Sequence, residues 1–154
     1  MKLVFLDVDG VLNSTAYLLG PPRKPTLHEE GISRSMVEHL NLLLRATGAK
    51  VVISSTWRCY VPLPKLVEML ERRGFQGEVI GQTPDMPGMD RGVEIEAWLE
   101  AYDENPEGED IEAFVIIDDN ADMEPHMARL VQTDAAFGLT SAEVTEAFRV
   151  LEGR

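Results

Sequence analysis

Residues 3–13 read LVFLDVDGVLN, an apolar run that ends in two carboxylates one residue apart. In a strand, residues i and i+2 share a face, so Asp7 and Asp9 are expected to point together while Val8 turns into the core. Two adjacent carboxylates repel, and the pair is tolerable where a hard cation or a shared proton offsets that repulsion. Gly10 behind them lets the backbone turn closely around whatever is bound. The competing reading of this segment alone is a helix cap with an acidic surface neighbour.

Downstream, apolar strands alternate with helical patterns, a rhythm that implies parallel strands with helices on both faces of the sheet. A first helix follows Ser33 as N-cap, carries Val37, Leu40 and Leu44 on one stripe and stops at Gly48. Residues 50–54 form the second strand. Leu63, Leu66, Val67 and Leu70 define a second helix over residues 63–73, with Arg72 and Arg73 at its negative end and Gly74 closing it. A short third strand is expected near residues 78–80. The turn-rich stretch 81–90, GQTPDMPGMD, then leads past the site into a third helix with Ile95, Trp98, Leu99 and Tyr102 inward. The apolar strand 114–117 ends in Asp118, Asp119 and Asn120, with Asp122 close behind, and a weak strand follows at 130–132. Thr140 and Glu143 make a capping box, Leu139 and Val144 a hydrophobic staple, and Ala147, Phe148 and Leu151 continue the last helix.

With 154 residues, 44% of them hydrophobic, the chain can bury one sizeable core, so a single domain over residues 1–154 is expected. A net charge of -13 opposes broad attraction to nucleic acid or anionic lipid, although a local basic groove is compatible with it. The acidic loop 103–110 reads as a solvated face, lacking the apolar residues that would fix ligand geometry. Cys59, the single cysteine, has no disulfide partner and no histidine nearby in sequence, which favours a packed thiol over a nucleophile. No apolar leader or bilayer-length segment is present, so a cytoplasmic location is the default expectation.

The two acidic clusters gain meaning together. In an open parallel α/β sheet, ligands collect beyond the carboxyl ends of the strands. If the first and fourth strands are neighbours, Asp7 and Asp9 converge with Asp118 and Asp119, an oxygen-only set that suits Mg²⁺. Taken alone, Asp118 and Asp119 also fit a turn after a buried strand. The segment 51–58, VVISSTWR, ends another strand in hydroxyls, making Ser54, and next Ser55, candidates for holding phosphoryl oxygens. Arg91, with Arg58 as a rival, is the candidate cation for the same corner, and Gly92 beside it favours close approach to the backbone. Both arginines also fit an ordinary surface position.

DVDGVLN, VVISS, the region around Arg91 and FVIIDDNADM together resemble the four motifs of the haloacid dehalogenase (HAD)-like hydrolases. ISSTWR, DRGVEIEAWL, VIIDDNADM, LVQTD and GLT further resemble the small HAD domain of Swiss army knife RNA repair proteins. The resemblance implies a three-layer Rossmann-like fold with a parallel sheet in order 3-2-1-4-5 and a minimal or absent cap. It implies a Mg²⁺-dependent phosphatase in which Asp7 attacks phosphorus to form an aspartyl-phosphate, while Asp9 protonates the leaving oxygen and then activates water. Asp9 must then hold a proton when substrate binds, which nearby carboxylates and partial burial favour. Asp7, the main-chain carbonyl of Asp9, Asp118 and Asp119 would hold the metal, with Asp122 as a substitute for either acid of the fourth motif. Ser54, Ser55 and Arg91 would bind the substrate phosphoryl group.

With little room for a cap, an open site is expected to admit a phosphorylated RNA or DNA end as well as small phosphoesters, with Arg23 and Lys24 as contacts. His28 and His126 fit ordinary surface or capping roles better than substrate contact. No membrane partner is expected, and oligomeric state is not legible. Two alternatives remain: a receiver-like signalling module and a non-catalytic phosphate- and metal-binding regulatory domain. The second acid of DVDG favours hydrolysis, because it supplies the acid/base that a receiver lacks.

Overall fold

The computed structural model describes residues 1–20 and 31–154. Among them, five parallel strands form one open sheet: β1 (Lys2–Leu6), β2 (Lys50–Ile53), β3 (Val79–Gln82), β4 (Ala113–Asp118) and β5 (Leu130–Gln132). Their spatial order is β3-β2-β1-β4-β5, which places β1 at the centre between β2 and β4. The helices are α1 (Thr15–Leu18), α2 (Arg34–Thr47), α3 (Leu63–Arg72), α4 (Arg91–Asp103) and α5 (Ser141–Glu152).

Alternation along the strands sorts the core into two layers. Val4, Leu6, Val51, Ile53 and Ile117 face α2, α3 and α5, whereas Leu3, Phe5, Val52 and Ile116 face Ile95 of α4. Leu3 through Leu6 are fully buried, as a central strand covered on both faces requires, and each such side chain contributes about 1.5–3 kcal/mol of burial. Trp98 of α4 meets Phe5 edge-on at 5.5 Å and stacks on Tyr102 at 5.0 Å, which anchors α4 across β1.

Local signals account for most boundaries. Gly48 ends α2 in the left-handed region at φ 67°, and Thr140 and Glu143 make the full capping box of α5. Ser33 occupies the N-cap of α2 without a side-chain capping bond, its hydroxyl lying 3.0 Å from that of Ser35 instead. β3 runs two residues beyond the expected 78–80, because Gly81 and Gln82 still pair with Val52 and Ile53. Tertiary pairing there overrides the turn character of the sequence. Residues 15–18 form a helical turn capped by the Ser14 hydroxyl, which no apolar periodicity announces.

Strand register sets the position of the site. Leu6 pairs with Ile53 and with Ile117, and the ladder runs one residue further, with Asp7 N–H donating to Ile117 O and Ser54 N–H to Leu6 O. Asp7, Ser54 and Asp118 therefore stand level at the carboxyl edge of three adjacent strands. Each continues the parity of the face that α4 covers.

A buried ion pair braces this edge from below. Arg58 reaches Glu94 of α4 at 2.6 Å and also donates to the carbonyls of Ser55 and Pro84. Glu94 in turn accepts from Met86 N–H at 2.9 Å. The loops after β2 and β3 and the first turn of α4 are thus tied to one another. Removing one partner leaves an uncompensated buried charge, so Glu94→Ala should destabilise the fold by about 3–5 kcal/mol. Urea unfolding should show this as a lower midpoint with an unchanged slope, and a midpoint like that of the wild type would contradict the bracing role.

Candidate functional site

The centre of the site is Asp7, which is 4% exposed at the end of β1. Its carboxylate, that of fully buried Asp118 and that of half-buried Asp119 present oxygens within 4.8 Å of one another. Arg91, at the start of α4, places Nη1 3.6 Å from Asp7 Oδ1 and 3.7 Å from Asp118 Oδ2. Neither the Asp118 Oδ2 atom nor Arg91 Nη1 has a hydrogen-bond partner among the described residues. The guanidinium therefore offsets the negative charge from a short distance without closing the cluster.

Burial governs the electrostatics. Desolvation pushes the Asp7 carboxyl up to about 6 against the opposing pull of Arg91, of Val8 N–H and of the Ser55 hydroxyl, with Asp119 adding repulsion. Asp118 is pushed up to about 8, first by desolvation and then by the charge of Asp7, although Asn120 N–H donates to its Oδ1 at 2.9 Å. A buried oxygen-only donor set that resists ionisation, with an unpartnered carboxylate oxygen inside it, fits a hard divalent cation such as Mg²⁺.

The backbone around the cluster is tightly specified. Gly10 adopts φ +75°, and a β-carbon there would lie 2.6 Å from the Asp119 carboxylate, so only glycine lets this acid settle over the turn. Thr133 Oγ1 donates to Gly10 O at 2.7 Å, and Gln132 Nε2 donates to Asp119 O at 2.9 Å. Both follow from β5 ending at the same edge as β1 and β4. The strand-end reasoning that singled out Ser54 would have found them if it had been extended to the last strand. The close approach expected at Gly92 is also present: a β-carbon there would lie 2.2 Å from Glu124 O.

Asp9 departs from expectation. The strand ends at Leu6, alternation lapses in the turn that follows, and Asp9 is exposed rather than partly buried beside Asp7. Val8 does enter the core, but the Asp9 carboxylate is not part of the three-acid group. Its Oδ1 accepts from Asn13 Nδ2 at 2.8 Å and its Oδ2 from Trp57 Nε1 at 3.0 Å. Asn13 and Trp57 had no assigned role in the sequence, and only the four-residue spacing between Asp9 and Asn13 hinted at a contact.

Ser54 is 1% exposed and its hydroxyl has no partner among the described residues, whereas the Ser55 hydroxyl accepts from Trp57 N–H and acts on Asp7. Arg58 is neither a surface residue nor a rival phosphate ligand, because Glu94 holds it in the interior. Asp122 stands apart from the three-acid cluster, and its Oδ2 accepts from Arg91 N–H at 3.3 Å at the start of α4. His126 lies 2.7 Å from Glu96 and edge-on to Phe114, away from the cluster. Cys59 is exposed rather than packed, and partial desolvation with the nearby Asp85 charge pushes its thiol up, the opposite of an activated nucleophile. Arg23, Lys24 and His28 lie outside the described residues.

An open parallel sheet with order 3-2-1-4-5 and convergent acids at the ends of β1 and β4 defines a Rossmann-like domain of the HAD-like hydrolase class. The chain belongs to the family described as HAD domain in Swiss Army Knife RNA repair proteins, whose sequence pattern matches residues 3–144. No curated protein matches the chain. Among the described residues, no helix is long and apolar enough to cross a membrane.

The raised carboxyls make a signed prediction for the cation-free protein. Folded Asp7 and Asp118 bind protons more tightly than the unfolded chain does. Their contribution to stability is therefore fully present below about pH 4. It is lost as pH rises through about 6 and then about 8. In EDTA, Asp118→Asn should raise Tm at pH 8 by roughly 2–4 °C per kcal/mol of repulsion relieved, and the gain should vanish near pH 4. Thermal unfolding across this range checks it, and a gain independent of pH would contradict the electrostatic cause.

Proposed function

We propose that the chain is a Mg²⁺-dependent phosphatase that hydrolyses a phosphomonoester through an aspartyl-phosphate on Asp7. The observation that carries this reading is the position of Asp7, a buried carboxylate at the central strand end, set among Asp118, Asp119 and Arg91. Asp7, Asp118 and Asp119, with the main-chain carbonyl of Asp9, would hold Mg²⁺, whose charge lets an anionic phosphate approach an anionic nucleophile.

The chain's own groups account for the remaining chemistry. An Asp7 carboxylate oxygen bonds to phosphorus as the bond from phosphorus to the leaving oxygen breaks, and Asp9 gives that oxygen its proton. Water then loses a proton to Asp9 and attacks phosphorus, the bond to Asp7 breaks, and inorganic phosphate leaves. Arg91 Nη1 and the unpartnered Ser54 hydroxyl supply donors for the phosphoryl oxygens, with Ser55 orienting Asp7.

A phosphorylated nucleic-acid end is the substrate proposed for this site. The family's description as a domain of RNA repair proteins supports it, as does the absence, among the described residues, of a cap domain between β1 and α2. A net charge of -13 disfavours broad backbone contacts, so recognition would centre on the terminal phosphate.

Hydrolysis of p-nitrophenyl phosphate should depend on Mg²⁺, cease in EDTA and fall at least about a thousandfold in Asp7→Asn, a change that removes the nucleophile. Oligonucleotides bearing a terminal phosphate should then be better substrates than small phosphoesters. Mg²⁺ binding without turnover on either class would replace this reading with that of a phosphate- and metal-binding module.

A further inference from the structure

We propose that Trp57 is a positioning residue that, together with Asn13, holds the Asp9 carboxylate in one orientation for its acid and base work, an inference that rests on the phosphatase reading above. Both oxygens of Asp9 are engaged by donors, Oδ1 by Asn13 Nδ2 at 2.8 Å and Oδ2 by Trp57 Nε1 at 3.0 Å. An indole N–H only donates, and the amide nitrogen of asparagine likewise cannot accept. The two donors therefore fix both oxygens, and the carboxylate is held in a single orientation.

The two partners are fixed to different degrees. Asn13 is 2% exposed, donates also to Gly31 O at 2.9 Å and accepts from Gly10 N–H at 2.9 Å, so its amide orientation is locked on three sides. Trp57 is half-buried in the short 3₁₀ turn Thr56–Cys59, where its N–H donates to Ser55 Oγ. Its ring edge lies against the Gly31 backbone, where a β-carbon would come within 2.8 Å of Cη2. The indole is thereby held against Asp9 from one side only. Ser55 caps the same turn, so the position of the acid is coupled to the residue that acts on the nucleophile.

The test compares wild type and Trp57→Phe, which keeps an aromatic ring and deletes the donor, on two phosphate esters in the presence of Mg²⁺. An alkyl phosphate needs its leaving oxygen protonated, whereas p-nitrophenolate departs readily without help. The expected result is about a tenfold loss of kcat/KM on the alkyl ester against less than about threefold on the aryl ester. Equal losses on both esters, or no loss on either, would overturn the proposal.

Wild-type protein that hydrolyses neither ester sinks the phosphatase reading and, with it, the catalytic half of this one. The hydrogen bond itself is tested without turnover by the indole N–H proton resonance that Trp57→Phe removes, Trp98 giving the other indole signal. Asp9→Ala should shift that resonance upfield while the Trp98 signal, from the core against Phe5, stays in place. An unmoved Trp57 resonance would overturn the positioning contact.

Discussion

Repulsion between Asp7 and Asp118, two carboxylates set level on adjacent central strands and both buried, is the constraint around which this molecule is arranged. Sheet register brings them together, because Leu6 pairs with Ile117 and the ladder continues to Asp7. Burial in a region of low polarity magnifies the repulsion, and the single guanidinium of Arg91, held at 3.6–3.7 Å, offsets only part of it. Such an arrangement stores unfavourable electrostatics until a cation or a proton enters. A fold of about this size is stable by only about 5–15 kcal/mol, so that cost must be matched elsewhere. The buried run Leu3 to Leu6 of the central strand and the two-sided core supply the compensation.

Other elements hold the cluster in shape. Arg58 and Glu94 bind the loops after β2 and β3 to α4, and α4 carries Arg91 into the site. Gly92 lets the chain at Met123 and Glu124 pass over the start of that helix, while Asp122 accepts from Arg91 N–H there. Thr133 and Gln132 hold the carbonyls of Gly10 and Asp119 from β5. Four strand ends and one helix start thus converge on the three-acid cluster.

The layered α/β fold was legible in the local apolar pattern, whereas the central place of the first strand, on which the convergence of Asp7 with Asp118 and Asp119 depends, followed from the resemblance to the HAD-like hydrolases. What escaped was set by contacts distant in sequence or by irregular backbone. Asp9 could not be placed by alternation, since the strand stops at Leu6 and Gly10 turns the chain at φ +75°. Arg58 carried no sign of burial, because its partner Glu94 lies 36 residues away and is reached only after α4 packs on the sheet. Trp57 carries no sequence signal of its contact, because the turn after β2 is what brings its indole to Asp9. Extending the strand-end rule to β5 was within reach of the sequence and would have added Gln132 and Thr133.

The central claim is that the buried acids form one site for a hard divalent cation. Calorimetric titration of Mg²⁺ at pH 7.5, repeated in buffers of different ionisation enthalpy, tests it most directly. One saturable site per chain is expected, abolished in Asp118→Asn, with proton release on binding because the Asp118 carboxyl stands at about 8 beforehand. No saturable binding, or binding that survives Asp118→Asn unchanged and releases no proton, would contradict it.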